Sequence, residues 1–268
     1  MSATQKVHKK SDLILRSYVA GVLIFLLLPI VIVIPLAFSQ DASMVFPPSG
    51  MSLKWFERAI ARPEFVTAFW LSAQLAVLST AISLTLGGLA AYALVRFRFM
   101  GRSLYMGLFL SPLIVPTVVL AIALTMIFAQ LGLLRNFWGL VIAHVIITLP
   151  YTVRVLSASL SEIGRDVEEA AMILGATPMR MLIHVLLPLL RPGIISAGVF
   201  ALIISFDEFT ITLFVSGPGL YTLPIEIFNY AEFYSDPTIA AISALLILFS
   251  AIGIIIIERF VGLRNVFK

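Results

Sequence analysis

The chain has 268 residues, of which 60% are hydrophobic and 12% charged, with a mean hydropathy of +1.07. Soluble domains carry about 25% charged residues, so this composition excludes one and points to an all-α membrane protein, a single transmembrane domain over residues 1–268. A net charge of +4 reflects loop topology rather than a nucleic-acid partner, and the absence of Cys excludes disulfides and thiolate metal sites.

In chain order, six apolar stretches qualify as spans: residues 18–38, 66–95, 103–129, 137–156, 194–215 and 238–257. A span needs roughly 17–25 apolar residues. Lipid offers the backbone no partner, so each must be a helix. The first follows Lys6, Lys9, Lys10 and Arg16 and ends in Ala37-Phe38-Ser39, a triplet like a signal cleavage site. Its apolar core exceeds the ~7–15 residues of a secretory signal, so a retained span is expected. The second carries Ser83, Gly87 and Ala91, a small-xxx-small row that lets helices meet backbone to backbone. The second and third are long, so tilt or interfacial ends are expected. Pro112 and Pro116 interrupt the third and Pro150 the fourth. Each proline frees a carbonyl, which marks a hinge, a pathway lining or a static kink. His8, His144 and His184 are scattered over tail, span and loop, and His144 fits a hydrogen-bonded packing residue better than a ligand.

Between the fourth and fifth spans lies a polar segment, residues 159–191, which includes the run EEAAMILGATPMRMLIHVLLP. Asp166 can cap a helix, and Glu169 stands three residues later, at capping-box spacing. That helix presents Val167, Ala170, Ala171 and Leu174 on one face, and its alanines let another surface come close. Gly175 ends it where the chain turns with positive φ. Thr177 caps a second helix with Pro178 at its first position. The second helix carries Met179, Leu182, Ile183 and Leu186, and Pro188 breaks or kinks it. Such a helix–turn–helix either lies on lipid or meets a protein. A lipid-facing surface helix prefers Lys, Arg and bulky apolar residues, so acids beside small residues favour a protein partner.

Charge inside a span costs roughly 2.5–3.5 kcal/mol, so it needs a reason. Only the fifth span holds acids well within it, at SFDEFTITLFVSGPG. Asp207 and Glu208 lie beyond its middle. Adjacent helical residues differ by about 100° in direction, so both cannot face one point. Either one lines a watery cavity while the other meets a neighbouring helix or subunit, or both are structural hydrogen-bond partners. Ser205, Thr210 and Thr212 add hydroxyls that line the same space or bond their own helix.

Orientation follows from Lys and Arg. With the N-terminus inside, only four of the 18 basic residues lie outside: Lys54, Arg58, Arg62 and Arg135. Both termini are therefore expected in the cytoplasm, and the polar segment 159–191 with them. The outer loop 216–237 has no Lys or Arg but carries Glu226, Glu232 and Asp236, and its aromatics either anchor at the interface or dock a partner.

The order Glu169-Ala170-Ala171, then Gly175, then Val185-Leu186-Leu187-Pro188 resembles the EAA signature E-A-A-x3-G-x9-I-x-L-P of ABC-importer permeases, with Val185 in place of Ile. Six spans with this loop between the fourth and fifth is a common type I layout. The resemblance implies that Glu168, Glu169, Ala170, Ala171, Gly175, Ala176, Leu187 and Pro188 form an ATPase-coupling segment. Its helix would dock into a cleft of the ATP-binding subunit, with Glu169 on a basic residue there. It also implies a second, different permease, two ATP-binding subunits holding ATP and Mg, an extracytoplasmic binding protein and the bacterial inner membrane as location. Asp207, Glu208, Ser216, Gly217, Pro218, Leu223 and Pro224 are similar to the second permease of spermidine/putrescine-type importers. The substrate pathway would then hold Asp207, Glu208 and Thr210, and the small organic solute would be a polyamine or related amine, or else an amino-acid derivative or other small metabolite. One departure stands out: polyamine members tend to carry a further acid in the third span, where this chain has Leu113 and Thr117.

Absences agree with a non-catalytic subunit. The chain has no G-x-x-x-x-G-K-[ST], H-E-x-x-H or G-x-S-x-G, so ATP hydrolysis, zinc-protease and serine-hydrolase sites are not expected on it. The rival reading is a stand-alone secondary transporter or channel, which would show related halves with matched interruptions; no such repeat is visible.

Overall fold

Apolar sequence satisfies its backbone in lipid only by helix, and this chain is helical along most of its length. A computed structural model describes residues 3–261, with side chains from 15 to 252. The side chains of Lys6, His8, Lys9, Lys10 and Arg259, and all of Arg264 and Lys268, lie outside the described residues. The helices are α1 (Ala3–Ala37), α2 (Lys54–Ala61), α3 (Pro63–Arg96), α4 (Arg102–Leu110), α5 (Thr117–Leu131), α6 (Phe137–Glu162), α7 (Arg165–Ile173), α8 (Pro178–Met181), α9 (Leu187–Phe206), α10 (Thr210–Val215), α11 (Leu223–Phe233) and α12 (Thr238–Val261). Among the described residues the only β pairing is an isolated bridge between Ser39 and Met51.

All six apolar stretches fall on helix, but not as six unbroken rods. α1, α3, α6 and the run Pro178–Phe206 are each long and apolar enough to cross a membrane. The third stretch is interrupted at its prolines, as expected, and falls into two pieces: α4 with a short 3-10 turn, then α5, bent by 100°. Pro112 and Pro116 remove two donors from the ladder. Pro116 itself is extended, at φ −54° and ψ 130°, and starts α5. Counted as one span, the bent pair makes five. α12 is apolar through Ile252, the limit of its described side chains.

Two other prolines do less than expected. Pro150 sits inside an unbroken α6. Pro188 does not break its helix: one wide π turn, Leu182–Leu186, lies directly before it, and α8, that turn and α9 run on as a single 29-residue rod. A π turn lets the ladder skip a bond, which accommodates a ring that cannot donate.

The chain divides into two units. The first holds residues 1–62 and 230–254. Its core is Ala37, Trp55, Ala240 and Ala241, with Val33, Phe38 and Phe56 against it. Trp55 is fixed there because its indole N–H donates to the Ser39 carbonyl at 2.8 Å. The start of α12 is tied by Asp236, which accepts from the Thr238 N–H at 3.0 Å and from the Tyr230 hydroxyl, and pairs with Arg58 at 3.2 Å. Arg62 lies over the Tyr230 ring, 4.7 Å from its centroid.

Of the described residues, the second unit holds 63–229 and 255–261. Here α3, α6 and α9 pack on one another, and α5 and α10 close over a cluster of Leu75, Leu124, Phe128, Val141 and Ile211. The Ser83, Gly87, Ala91 row is buried against α6, as its spacing suggests. A Cβ on Gly87 would stand 2.2 Å from Thr152 Oγ1 and 3.3 Å from the Val153 nitrogen, so only Gly permits this approach. The close contact is polar as well: Ser83 and Thr148 hydroxyls lie 2.6 Å apart, and Thr152 donates to the Ser83 carbonyl at 3.0 Å.

Candidate functional site

The bent segment is built around a helix end. Leu174 caps α7, Gly175 follows at φ +89°, and two bonds close the turn. The Gly175 N–H donates to the Met172 carbonyl and the Ala176 N–H to the Ala171 carbonyl, both at 3.0 Å. These are the bonds of a Schellman motif. Its accompanying apolar contact is present too: Ala171 and Ala176 both pack on the cluster of Leu160, Met181, Leu186 and Leu190. The second helix starts as expected, with Thr177 accepting from the Arg180 N–H at 3.4 Å and Pro178 at its first position.

One expectation for this segment fails. Asp166 does not cap α7; Gly164 occupies the cap position, no side chain bonds there, and Asp166 lies in the first turn. The acids of that turn, Asp166 and Glu168, instead face the positive end of the helix dipole. The inward face of α7 is Val167, Glu168 and Ala171, whereas Ala170 is exposed and Leu174 is 88% exposed. In the second helix Met181 and Leu186 are buried, and Met179 and Ile183 are exposed. The π turn shifts the phase of that face, which a uniform 100° spacing cannot anticipate.

Glu168 and Glu169 part ways. Glu169 is exposed. Glu168 turns inward, its Oε1 2.6 Å from Nε of Arg96 at the end of α3. The two side chains are 12% and 6% exposed, so this is a buried pair. Arg96 also donates through Nη2 to the Ile163 carbonyl at 2.9 Å, and Arg165 donates to the Arg96 carbonyl. The start of α7 is thus strapped to α3 from both directions. Nothing in the spacing of residues 96 and 168 announces this. Beyond the strap, Met172, Ile173 and Leu174 form an exposed apolar tip. Leu187 and Pro188 lie on the exposed side of α9.

The acidic pair lies at a helix break rather than within a helix. α9 ends at Phe206 and α10 begins at Thr210. Glu208 is half-buried, and its Oε1 accepts from the Ile211 N–H at 2.7 Å, satisfying a free donor at the start of α10. Asp207 is exposed and has no side-chain partner among the described residues. Thr210 is half-buried at the start of α10. Ser205 and Thr212 are both buried and bond across helices to one residue, His144. Nδ1 of His144 lies 2.7 Å from Ser205 Oγ and Nε2 lies 3.0 Å from Thr212 Oγ1. His144 is the hydrogen-bonded packing residue its position in a span suggests. Its partners come from opposite ends of the break, which only the fold brings together. No group of three or more His, Asp or Glu suited to a metal ion occurs among the described residues.

Among the described residues the chain is built of helices, with a polar bend between apolar rods and an acidic break in the rod that follows. It belongs to the family of binding-protein-dependent transport system inner membrane components, which matches residues 83–263. The chain is 32% identical over 238 residues to the putrescine transport system permease protein PotI of Escherichia coli, covering 86% of this chain and 84% of that one. It is 29% identical over 241 residues to the spermidine/putrescine permease PotC of Haemophilus influenzae, covering 90% and 93%. The sulfoquinovosyl glycerol permease SmoH of Agrobacterium fabrum is 31% identical over 241 residues, covering 86% and 83%. In fold the chain is similar to a bacterial ABC transporter that imports alginate, at TM-score 0.70 and 19% identity over 98% of both chains. The methionine transporter MetNI gives TM-score 0.58 at 20% identity, over 74% of this chain and 94% of that one. The chain is therefore a permease subunit of an ATP-driven ABC importer, a transport subunit rather than an enzyme. The stand-alone transporter or channel is set aside by the family match.

Proposed function

We propose that this permease carries a short organic amine, that it crosses the inner membrane six times with both termini in the cytoplasm, and that it pairs with a second, different permease. Two ATP-binding subunits, holding ATP and Mg, dock on the bent segment, and an extracytoplasmic binding protein delivers the solute to the outer loops. Alternating access then has a physical course. ATP draws the nucleotide subunits together, α7 moves with them, and the spans reopen outward. Hydrolysis resets the cavity inward.

The observation that carries the solute class is Asp207: an exposed, unpartnered carboxylate at a break in an apolar rod. Against hydrocarbon, both the charge and the interrupted backbone would be costly, so they suit a water-filled route. A negative group on that route favours a cation. Glu208 is already occupied in capping α10, which leaves Asp207 as the solute-facing acid, with the half-buried Thr210 three residues on. The relatives named for putrescine and spermidine support an amine. Leu113 and Thr117, in place of further acids, weigh against a long polycation. The apolar tip Met172–Leu174 and the exposed Glu169 support docking of the ATP-binding subunit. An apolar core with a charged rim suits a protein surface.

The test is uptake of labelled putrescine by the complete complex in proteoliposomes with binding protein. ATP-dependent uptake that excess short amines compete away is expected. Uptake persisting in full without ATP, or indifferent to amines, overturns the reading.

A further inference from the structure

The role of Asp207 rests on where the break holds it, and the break has a single buried clasp. α9 and α10 are separated by three residues, Asp207, Glu208 and Phe209. Such an interruption leaves backbone groups unpaired and gives the two half-helices freedom to pivot. His144, on α6 and fully buried, bonds Ser205 just before the break and Thr212 just after it. Both ring nitrogens are thus engaged, one on each side of the break. In the tautomer with its proton on Nε2, His144 donates to Thr212 Oγ1, and Thr212 keeps its own proton for the Glu208 carbonyl at 3.1 Å. Nδ1 of the neutral ring then accepts from the Ser205 hydroxyl. The clasp is anchored on a third helix, because the Ser79 hydroxyl on α3 lies 2.9 Å from Ser205 Oγ and can donate to it.

We infer that His144 is the positioning residue of the transport pathway: one imidazole, bonded to both sides of the break, sets the angle between α9 and α10 and so holds the Asp207 carboxylate where a passing cation meets it. This rests on the reading of Asp207 as the solute-facing acid. His144 touches no solute and carries no charge in this role. A ring with two opposed bonding atoms spans the gap, whereas Leu fills the volume without holding either side. Glu208 plays its part by tying α10 to the break, which leaves Asp207 as the group that the clasp aims.

The experiment is a double-mutant cycle on amine uptake by the complete complex, with labelled putrescine as the probe. The variants are His144→Leu, Asp207→Asn and the pair. Asp207→Asn alone should lower uptake tenfold or more, chiefly through a raised KM. His144→Leu should produce a similar rise in KM. The pair should be no worse than Asp207→Asn alone, since a clasp that acts through Asp207 has nothing left to aim. His144→Gln, which keeps a donor and an acceptor, should recover part of the loss. If His144→Leu does not assemble, Thr212→Val severs one arm of the clasp and replaces it in the cycle. Losses that multiply in the pair, or a fall in turnover at unchanged KM, overturn the clasp while Asp207 keeps its role. Full uptake by Asp207→Asn overturns the solute-facing reading, and the clasp with it.

Discussion

Glu168→Gln tests whether nucleotide-driven motion reaches the spans through α3. Gln keeps the shape of Glu168 and an oxygen that can accept from Arg96, but not its charge, leaving the guanidinium 6% exposed without a counter-charge and with only neutral acceptors. Removing one partner of a buried pair costs about 3–5 kcal/mol. The lower figure applies where one hydrogen bond survives, and 3 kcal/mol weakens the hold of α3 on α7 roughly a hundredfold. α7 would stay near its place through Ala171, Ala176 and the Arg165 contact, but it would no longer move as one body with α3. The assay is ATP hydrolysed per molecule of putrescine taken up by proteoliposomes holding the whole complex. The variant should keep its ATPase activity and lose at least nine-tenths of uptake. Adding Arg96→Gln removes the stranded charge and should restore part of the loss. Unchanged uptake per ATP in Glu168→Gln, or a double variant worse by the product of the two single losses, would refute the strap as a mechanical link.

Three further outcomes are expected. Gly175→Pro should abolish coupling while membrane insertion persists, because proline fixes φ near −65° where the chain needs +89° and deletes the donor to Met172; normal uptake would remove the bend from the mechanism. Gly87→Val should prevent assembly of α3 against α6, read as loss of folded complex in detergent, since its side chain would overlap Thr152; a normal yield would show that the approach is not required. Asp236 gives a pH signature. Burial pushes its carboxyl up, but bonds from Thr238 and Tyr230 and the charge of Arg58 outweigh this and hold it below its ordinary 3.8. Its stabilisation is thus present above that value and lost as pH falls through the lower folded one. Melting curves between pH 5 and pH 2 should show Asp236→Asn losing less stability than the native chain, and parallel curves would contradict it.

The sequence by itself determined the class of protein and the outline of its helices. A chain with so little charge has one way to bury its backbone, so every apolar stretch had to become helix. It also fixed the local punctuation of the bent segment. Gly175, Thr177 and Pro178 behave as their chemistry dictates because each acts on its own neighbours in the chain. The α3–α6 approach was legible for a similar reason: Ser83, Gly87 and Ala91 are small at a spacing only a helix aligns.

What the tertiary structure alone decided concerns residues far apart in the chain. The Asp166–Glu169 spacing suits a capping box, but α7 starts two residues earlier, capped at Gly164, and Glu168 turns inward onto Arg96. Pro188, read locally as a breaker, was absorbed by a π turn inside a rod held by packing. Between Asp207 and Glu208 the sequence offered no choice. The fold made it by spending Glu208 on α10 and fastening Ser205 and Thr212 to His144, more than sixty positions away. Local chemistry follows from neighbours a few residues off and can be read in one dimension. An ion pair or a shared imidazole between distant helices depends on which faces meet, and that is settled only when all the helices pack at once.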